Sequence, residues 1–598
     1  MQNEFICQVL ETCNEFEVVS SLYPEYTWMD FSEYFVNPGI IDLNVCLNNE
    51  YYVGDDDTLE FEGNDLSESS SGLTCSLSEI SDPYETGTKL AAAGGVTFVI
   101  ENPQITSKEL TPKELQKMKY QTSQKSLFCD LSFLAMISND NLDDVQEFSN
   151  IGIAGFKSFL IPPGMNTPFL TVERIKKALE SVSRINKPIF FHPEKANERY
   201  LYMSSPFRNE TLGDRINKPE PAFAAFPAAF PEEIDGSSSE ISPISSTNST
   251  PLRFTPVSAQ QKADEKLLER QIIYQSNNLE SLIKAEIMTY STSGFTFFDP
   301  TSPIDPIKPI PEISQFNLKL NPAPLFCNKS PIKAVSFETK PKRPPPIFCS
   351  RPVLLKENTD YKLFLANCPP HWEVNGVQAI ITELKKVPRA QVHITNLSSA
   401  TAIYAIRKHK KEEKSLNLTC ETAAFYLYFS DDHIKPGDTR FKACPPIREE
   451  KNRKLMLEIL AVDGIDVVSS YHRPVRSCMK FLGAGDFKRA LSGVYAIGWG
   501  LQTLWECIGG DPRVTACKIA KLMSEAPADV LGIVEKGRIV EGKHADLVVW
   551  DPFGFAEGGR NQMNPFLGEK MKGKVVCTIV RGKVVFSNGC FWPHGRVV

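Results

Sequence analysis

Two hydrophobic periods alternate along much of the chain. Tyr84–Ala93 has the spacing of a helix, Gly94 and Gly95 stop it, and Val96–Ile100 is a continuous apolar run of buried-strand length. The step repeats. Pro112–Gln124 predicts a helix, Leu127–Ile137 a strand, Leu142–Phe148 a short helix and Gly155–Leu160 a strand. Thr171–Ser183 predicts a helix with a Thr cap and Glu173 in its first turn, and Pro188–His192 the next strand. The pattern resumes with Glu373–Lys385 (helix), Ala390–Asn396 (strand), Ala400–Lys411 (helix), Leu416–Cys420 (strand) and Asp466–Ser470 (strand). Helices follow over Phe487–Leu504 and Val514–Leu522. Repeated units of this kind make an α/β barrel or an open doubly wound sheet. The end of the chain changes period: Gly532–Val540, Ala545–Asp551 and Cys577–Phe586 predict β-hairpins with glycine turns. Short alternating pieces before residue 37 suit edge strands.

Two stretches break the alternation. Residues 50–82 are acidic and Ser-rich, with too little hydrophobicity to offset the entropy of ordering. Residues 204–350 are rich in Pro, Ser, Asn and Thr, with one helical island at Ala259–Thr289. Because the α/β pattern returns afterwards, the second stretch reads as an insertion. The expected division is 1–38, 39–203 with the acidic loop 50–82, the insertion 204–350, then 351–528 and 529–598.

One strand carries chemistry at its end. In Asn37-Pro-Gly-Ile-Ile-Asp-Leu-Asn-Val-Cys46 the alternation places Asp42, Asn44 and Cys46 on one face. Such a set is either a metal cradle or a strand turning polar as it leaves the core.

Bulk properties narrow the setting. The chain has 598 residues and a formal net charge of -8, which argues against a general nucleic-acid binder. Its 15 cysteines show no CxxC pair, the start lacks the features of an export signal, and no apolar run approaches the roughly 18 residues of a membrane helix. The expectation is a cytoplasmic protein with no membrane and no nucleic-acid partner.

Longer segments carry a resemblance. Pro38–Asp42, Glu85–Thr97, Ala154–Leu160, Phe191–Glu194, Pro370–Val374, His393–Ala400, Phe441–Arg448, Ile465–His472, Gly485–Phe487, His544–Asp551, Asn564–Gly568 and Thr578–Gly582 occur in the order found in the amidohydrolase superfamily. Within it the chain resembles allantoinases, cyclic-amide hydrolases of purine breakdown. The resemblance covers about 38–200 and 355–595. It implies a (β/α)8 TIM barrel with a small β-sandwich built from both chain ends, and an active site at the C-terminal ends of the barrel strands. It also implies two zinc ions per subunit, bridged by a lysine carbamate, which lower the pKa of a bridging water and polarise the amide carbonyl.

The family's ligand positions map onto six residues here. The His-x-His pair falls on Asn44 and Cys46, the bridging lysine on Lys157, and the next two histidines on His192 and Asn396; the general-base aspartate falls on Tyr471. Only Lys157 and His192 keep the family's residue. An Asn amide oxygen is a poor zinc ligand, and a tyrosine with an ordinary pKa of about 10 is a poor replacement for a carboxylate base. A histidine pair of the family appears as Ala424-Phe425, while His472 and Ser398 belong to the expected pocket wall.

Three functions follow. The leading one is a catalytically lapsed allantoinase relative without a cofactor, kept as a scaffold, as in the dihydropyrimidinase-related proteins. It would associate as a homodimer or homotetramer and offer the insertion, including the polyproline-like Pro341–Pro346, to a protein partner. The second is a hydrolase of allantoin or another cyclic amide with one metal on Cys46, His192 and Lys157 or a neighbour. The third is a metal-free binder of a ureide-like molecule through Lys157, Asn44 and Asn396.

Overall fold

The fold is taken from a computed structural model, which describes residues 4–6, 29, 31–47, 83–102, 110–162, 168–195, 356–557 and 561–598. The acidic tract, the insertion with its helical island, and most of the first 28 residues lie outside them.

Eight strands form one parallel sheet in sequence order: β2 (Ile40–Val45), β3 (Val96–Glu101), β4 (Asp130–Met136), β5 (Gly155–Phe159), β6 (Ile189–His192), β7 (Val392–Ile394), β8 (Leu418–Ala423) and β9 (Val467–Ser469). Most of their residues are buried on both faces, which is why they read as unbroken apolar runs rather than alternating ones. The sheet curls until its ends meet. The Cys46 N–H donates to the His472 carbonyl at 2.8 Å, and Val45 bridges His472 in parallel. This is the (β/α)8 barrel, nearly closed.

The helices cover the outside with their apolar stripes. Val172–Ser183 buries Ile175, Ala178, Leu179 and Val182, and each large aliphatic side chain so buried contributes about 1.5–3 kcal/mol. Thr171 holds the extended backbone of a cap, but its side chain accepts no bond from the helix. Thr111 does cap Pro112–Ser123, in a reciprocal box with Glu114.

The chain ends build an antiparallel sheet, β1 (Phe35–Pro38), β10 (Leu547–Glu557), β11 (Lys570–Val580), β12 (Lys583–Ser587) and β13 (Cys590–Phe591), in that order. Phe35 opposes Trp550 across β1 and β10. A buried ion cluster ties this sheet to the barrel: Lys536 bonds Asp130 of β4 at 2.9 Å and also Asp546, while Arg581 bonds Asp130.

Two sequence expectations fail here. The helix expected over Phe487–Leu504 begins only at Gly500 and runs to Ile508. Before it, Gly493 and Gly498 have positive φ, and Gly498 packs so closely on Gly94 that a Cβ at residue 94 would lie 2.1 Å from the Gly498 Cα. No hairpin forms over 532–540 either. Val534 and Val540 are exposed there, and the segment is held instead through Lys536. Among the described residues no helix is long and apolar enough to cross a membrane.

Candidate functional site

A cavity of about 30 Å³ opens at the C-terminal ends of the barrel strands. Its lining comes from Asn44 and Cys46 at the end of β2, Asn102 after β3, and Lys157 and Phe159 of β5. Asn396 after β7 and Tyr471, His472 and Arg473 after β9 complete it. Chain segments more than 400 residues apart therefore meet at one mouth, as the barrel requires.

β2 is not the regular strand that its alternation predicts. Four of its residues, from Asp42 to Val45, span only three of β3, from Val99 to Glu101. This bulge re-aims the side chains. Asn44 and Cys46 reach the cavity, whereas Asp42 is buried elsewhere and accepts from the backbone N–H groups of Ser470 (3.1 Å) and Asn44 (3.4 Å). Burial raises the Asp42 carboxyl to about 6, against the lowering effect of those bonds. Burial, then the charge of Glu101, pushes the Cys46 thiol far above its ordinary range, so it is no thiolate near pH 7.

The six mapped positions are linked mainly to neighbouring protein groups. Asn44 Nδ2 donates to Asn396 Oδ1 and, at 2.5 Å, to Glu421 Oε1 of β8; its Oδ1 accepts from Asn102 Nδ2. Asn396 Nδ2 lies 3.3 Å from His192 Nδ1. An amide N–H there makes Nδ1 the acceptor and puts the ring proton on Nε2, which faces Glu194 Oε2 at 2.9 Å. The Cys444 thiol also donates to that oxygen, at 3.1 Å. A hydrogen-bonded chain thus runs Asn102–Asn44–Asn396–His192–Glu194–Cys444.

Tyr471 closes one side. Its hydroxyl donates to the Cys444 carbonyl at 2.6 Å, and its ring stacks on Phe425 at 6.2 Å between centroids. Its φ is +48° and that of Asn396 is +60°. Asparagine tolerates the left-handed region, whereas a bulky tyrosine there is an outlier, of the kind found at functional sites.

Lys157 is 2% exposed. Its ammonium donates to Thr395 Oγ1 at 2.7 Å. Burial lowers it to about 8, opposed by the Glu421 carboxylate and aided by the Arg473 guanidinium. His472 is held neutral, with burial lowering it to about 3, and its Nδ1 accepts from the N–H groups of Ala496 (3.1 Å) and Ile497 (3.3 Å).

Two expected residues sit away from the cavity. His192 lies behind Asn396 and does not line it. Ser398 is no wall residue: its hydroxyl donates to Glu373 Oε1 at 2.8 Å, in a buried cluster with Arg448. Sequence reasoning assigned no role to Glu421, Asn102, Glu194 or Arg473. Glu421 and Asn102 stand at or beside the ends of apolar runs, the one signal that marks them.

This arrangement resembles known proteins. Residues 496–585 match the model of the Amidohydrolase family. The allantoinase of Arabidopsis thaliana is 24% identical over 581 residues, 94% of this chain and 79% of that protein. The allantoinase of Saccharomyces cerevisiae is 32% identical over 244 residues, 39% of this chain and 51% of that one. The fold is that of an L-hydantoinase (dihydropyrimidinase) from Arthrobacter aurescens, with a TM-score of 0.59 at 15% identity over 100% of this chain and 94% of that one. The chain belongs to the amidohydrolase superfamily. Its sequence places it near the allantoinases within that superfamily, although the yeast match spans only about half of its relative's length.

Members of this superfamily typically depend on metal, which needs deprotonated or strongly donating side chains. Asn44 and Asn396 offer neutral amides already spent on each other, Cys46 keeps its proton, and Tyr471 bonds the Cys444 carbonyl. Among the described residues, no three His, Cys, Asp or Glu side chains converge to hold an ion. This donor set does not fit a two-metal centre.

Proposed function

We propose that the chain is a non-hydrolytic member of the superfamily, in which the metal centre has been replaced by a hydrogen-bonded polar plug and the barrel serves as a scaffold. The observation that carries this reading is the Asn44–Asn396–His192–Glu194 chain, which spends on neighbours the very groups that would face metal. The cavity supports it: about 30 Å³ is far below the roughly 300–1,000 Å³ of small-molecule sites. The test is metal content and turnover of the purified full chain. The expected result is well under one zinc per chain and no allantoate formed from allantoin, with zinc added or withheld.

A second reading is hydrolysis of allantoin or a related cyclic amide. The names of the relatives favour it, as does the retention of Lys157 and His192. Stoichiometric zinc together with allantoate formation would establish it and end the first reading.

A further inference from the structure

The N-terminal end of the barrel, opposite the mouth, carries a concentration of positive charge. The loops that feed the neighbouring strands β6, β7 and β8 meet there: the Ile189 N–H donates to the Gln391 carbonyl and the Val392 N–H to that of Asn417, both at 2.9 Å. The carboxylates of these loops and of the helix ends before them are already engaged. Glu413 pairs with Lys385 at 3.2 Å, Glu383 pairs with Lys386 at 2.6 Å, and Glu412 faces the His409 ring at 3.5 Å. Asp466, at the foot of β9, takes Lys410 at 2.9 Å. Six cations are left over: Arg184, Lys187, Arg389, Lys408, Lys411 and Lys414. None of them has an ion pair among the described residues, and all but the half-buried Lys187 are exposed. Burial lowers the Lys187 ammonium, and no carboxylate opposes that effect. Tyr404, 64% exposed, shares the outer stripe of the helix Ala400–Glu412 with Lys408 and Lys411.

The chain holds a complement to this surface. Residues 50–82 carry ten Asp and Glu and no Lys or Arg, with Leu59, Phe61 and Leu66 among them. This tract lies outside the described residues, but the residues flanking it are placed. The chain departs after Leu47, beyond the C-terminal end of β2, and returns at Pro83, the start of the helix that leads back to β3. Both points are at the mouth, the far end of the barrel from the six cations, and β6 stands across the barrel from β2. A second copy can bring its tract to the basic end without either distance to cover. We infer that the basic end built by Arg184, Arg389, Lys408 and Lys411 docks the acidic tract 50–82 of another copy of this chain, head to tail. Carboxylates of the tract meet the unmatched cations, and one of its apolar side chains covers Tyr404. Such a contact joins two different surfaces, so it closes into a ring or continues as a chain of copies. It does not depend on whether the mouth binds metal.

The experiment is sedimentation velocity of the full chain over a range of concentrations, at about 0.1 M and about 1 M salt, between which the screening length falls from about 10 Å to about 3 Å. Association that grows with concentration and is lost at high salt is expected. Two variants separate the surfaces. Arg184→Gln, Arg389→Gln, Lys408→Gln and Lys411→Gln together remove the cations. Asp55→Asn, Asp56→Asn, Asp57→Asn, Glu60→Gln and Glu62→Gln together remove most of the acid from the first half of the tract. The four cations are exposed, so the unfolding midpoint of the first variant should match that of the parent. Neither variant alone should form the salt-sensitive species. An equimolar mixture should form it as pairs only, because each variant supplies the surface that the other lacks. A mixture that stays unassociated overturns the contact between copies, and so does a salt-sensitive association that either variant retains. Binding of RNA or of phosphoinositide vesicles by the parent and not by the cation variant, without self-association, assigns the basic end to another polyanion and also overturns it.

Discussion

At the residue scale, the cavity is governed by which atom donates and which accepts. Asn44 is the hub, with Nδ2 shared by Asn396 and Glu421 and Oδ1 fed by Asn102. Alanine there would strand several buried partners at once. Each abandoned polar group costs about 1–3 kcal/mol, so Asn44→Ala should lower stability by at least that much in urea unfolding. Asn44→Asp should be worse near pH 7, although it is nearly isosteric. A carboxylate cannot donate, and it would face the oxygens of Glu421 and Asn396. A loss no larger than that of an exposed substitution, such as Tyr120→Ala, would mean that the plug is not a stabilising unit.

Among the elements, barrel closure depends on the turn after β9. His472 gives its carbonyl to Cys46 of the first barrel strand, and its Nδ1 gathers the amides of Ala496 and Ile497. The ring is therefore needed neutral. Its folded-state pKa of about 3 lies below the ordinary 6.5, so between these values the unfolded chain binds the extra proton. Stability from this group is full above pH 6.5 and is lost as pH falls toward 3, by up to about 4–5 kcal/mol. His472→Asn, which keeps an acceptor but does not titrate, should flatten the acid limb of urea unfolding measured from pH 7 down to 3.5. Asp42 works in the opposite sense. Its pKa is raised to about 6 from 3.8, so its contribution falls as pH rises between those values, and only the difference between variant and parent isolates the histidine. This turn also shows why some elements were legible in the sequence and others were not. β3 and β4 are buried on both faces, so local hydrophobicity suffices to find them. Phe487, Val494, Ala496 and Trp499 have apolar spacing too, but they pack as irregular chain in one cluster with Phe441 and Phe566, and left-handed glycines at 493 and 498 prevent the helix. A pattern of apolar residues does not disclose a glycine's φ, nor the bulge that sends Asp42 away from Asn44 and Cys46.

For the whole molecule, the mapped positions come from strands spread around the barrel, and the plug couples them. The mouth was legible because short segments keep their order over hundreds of residues. The bonds were not, because Asn44 meets Glu421 and Asn396 only after the sheet closes. Coupling of this kind predicts strongly non-additive substitutions. Asn44→His or Asn396→His alone breaks the plug without completing a metal site, so each should destabilise the protein and leave it without zinc. Asn44→His, Cys46→His, Asn396→His and Tyr471→Asp together place donors of the right type on the barrel mouth that also carries Lys157 and His192. The left-handed backbone at 396 and 471 should then serve the donors. The fourfold variant is therefore expected to bind zinc in elemental analysis and to gain a zinc-dependent rise in unfolding midpoint, because a ligand held only by the folded state stabilises it by mass action. The parent should show no such rise. A folded fourfold variant that takes up no zinc would mean that these positions do not converge as a ligand set, and single variants that bind zinc as well as the fourfold one would show that the plug is not coupled.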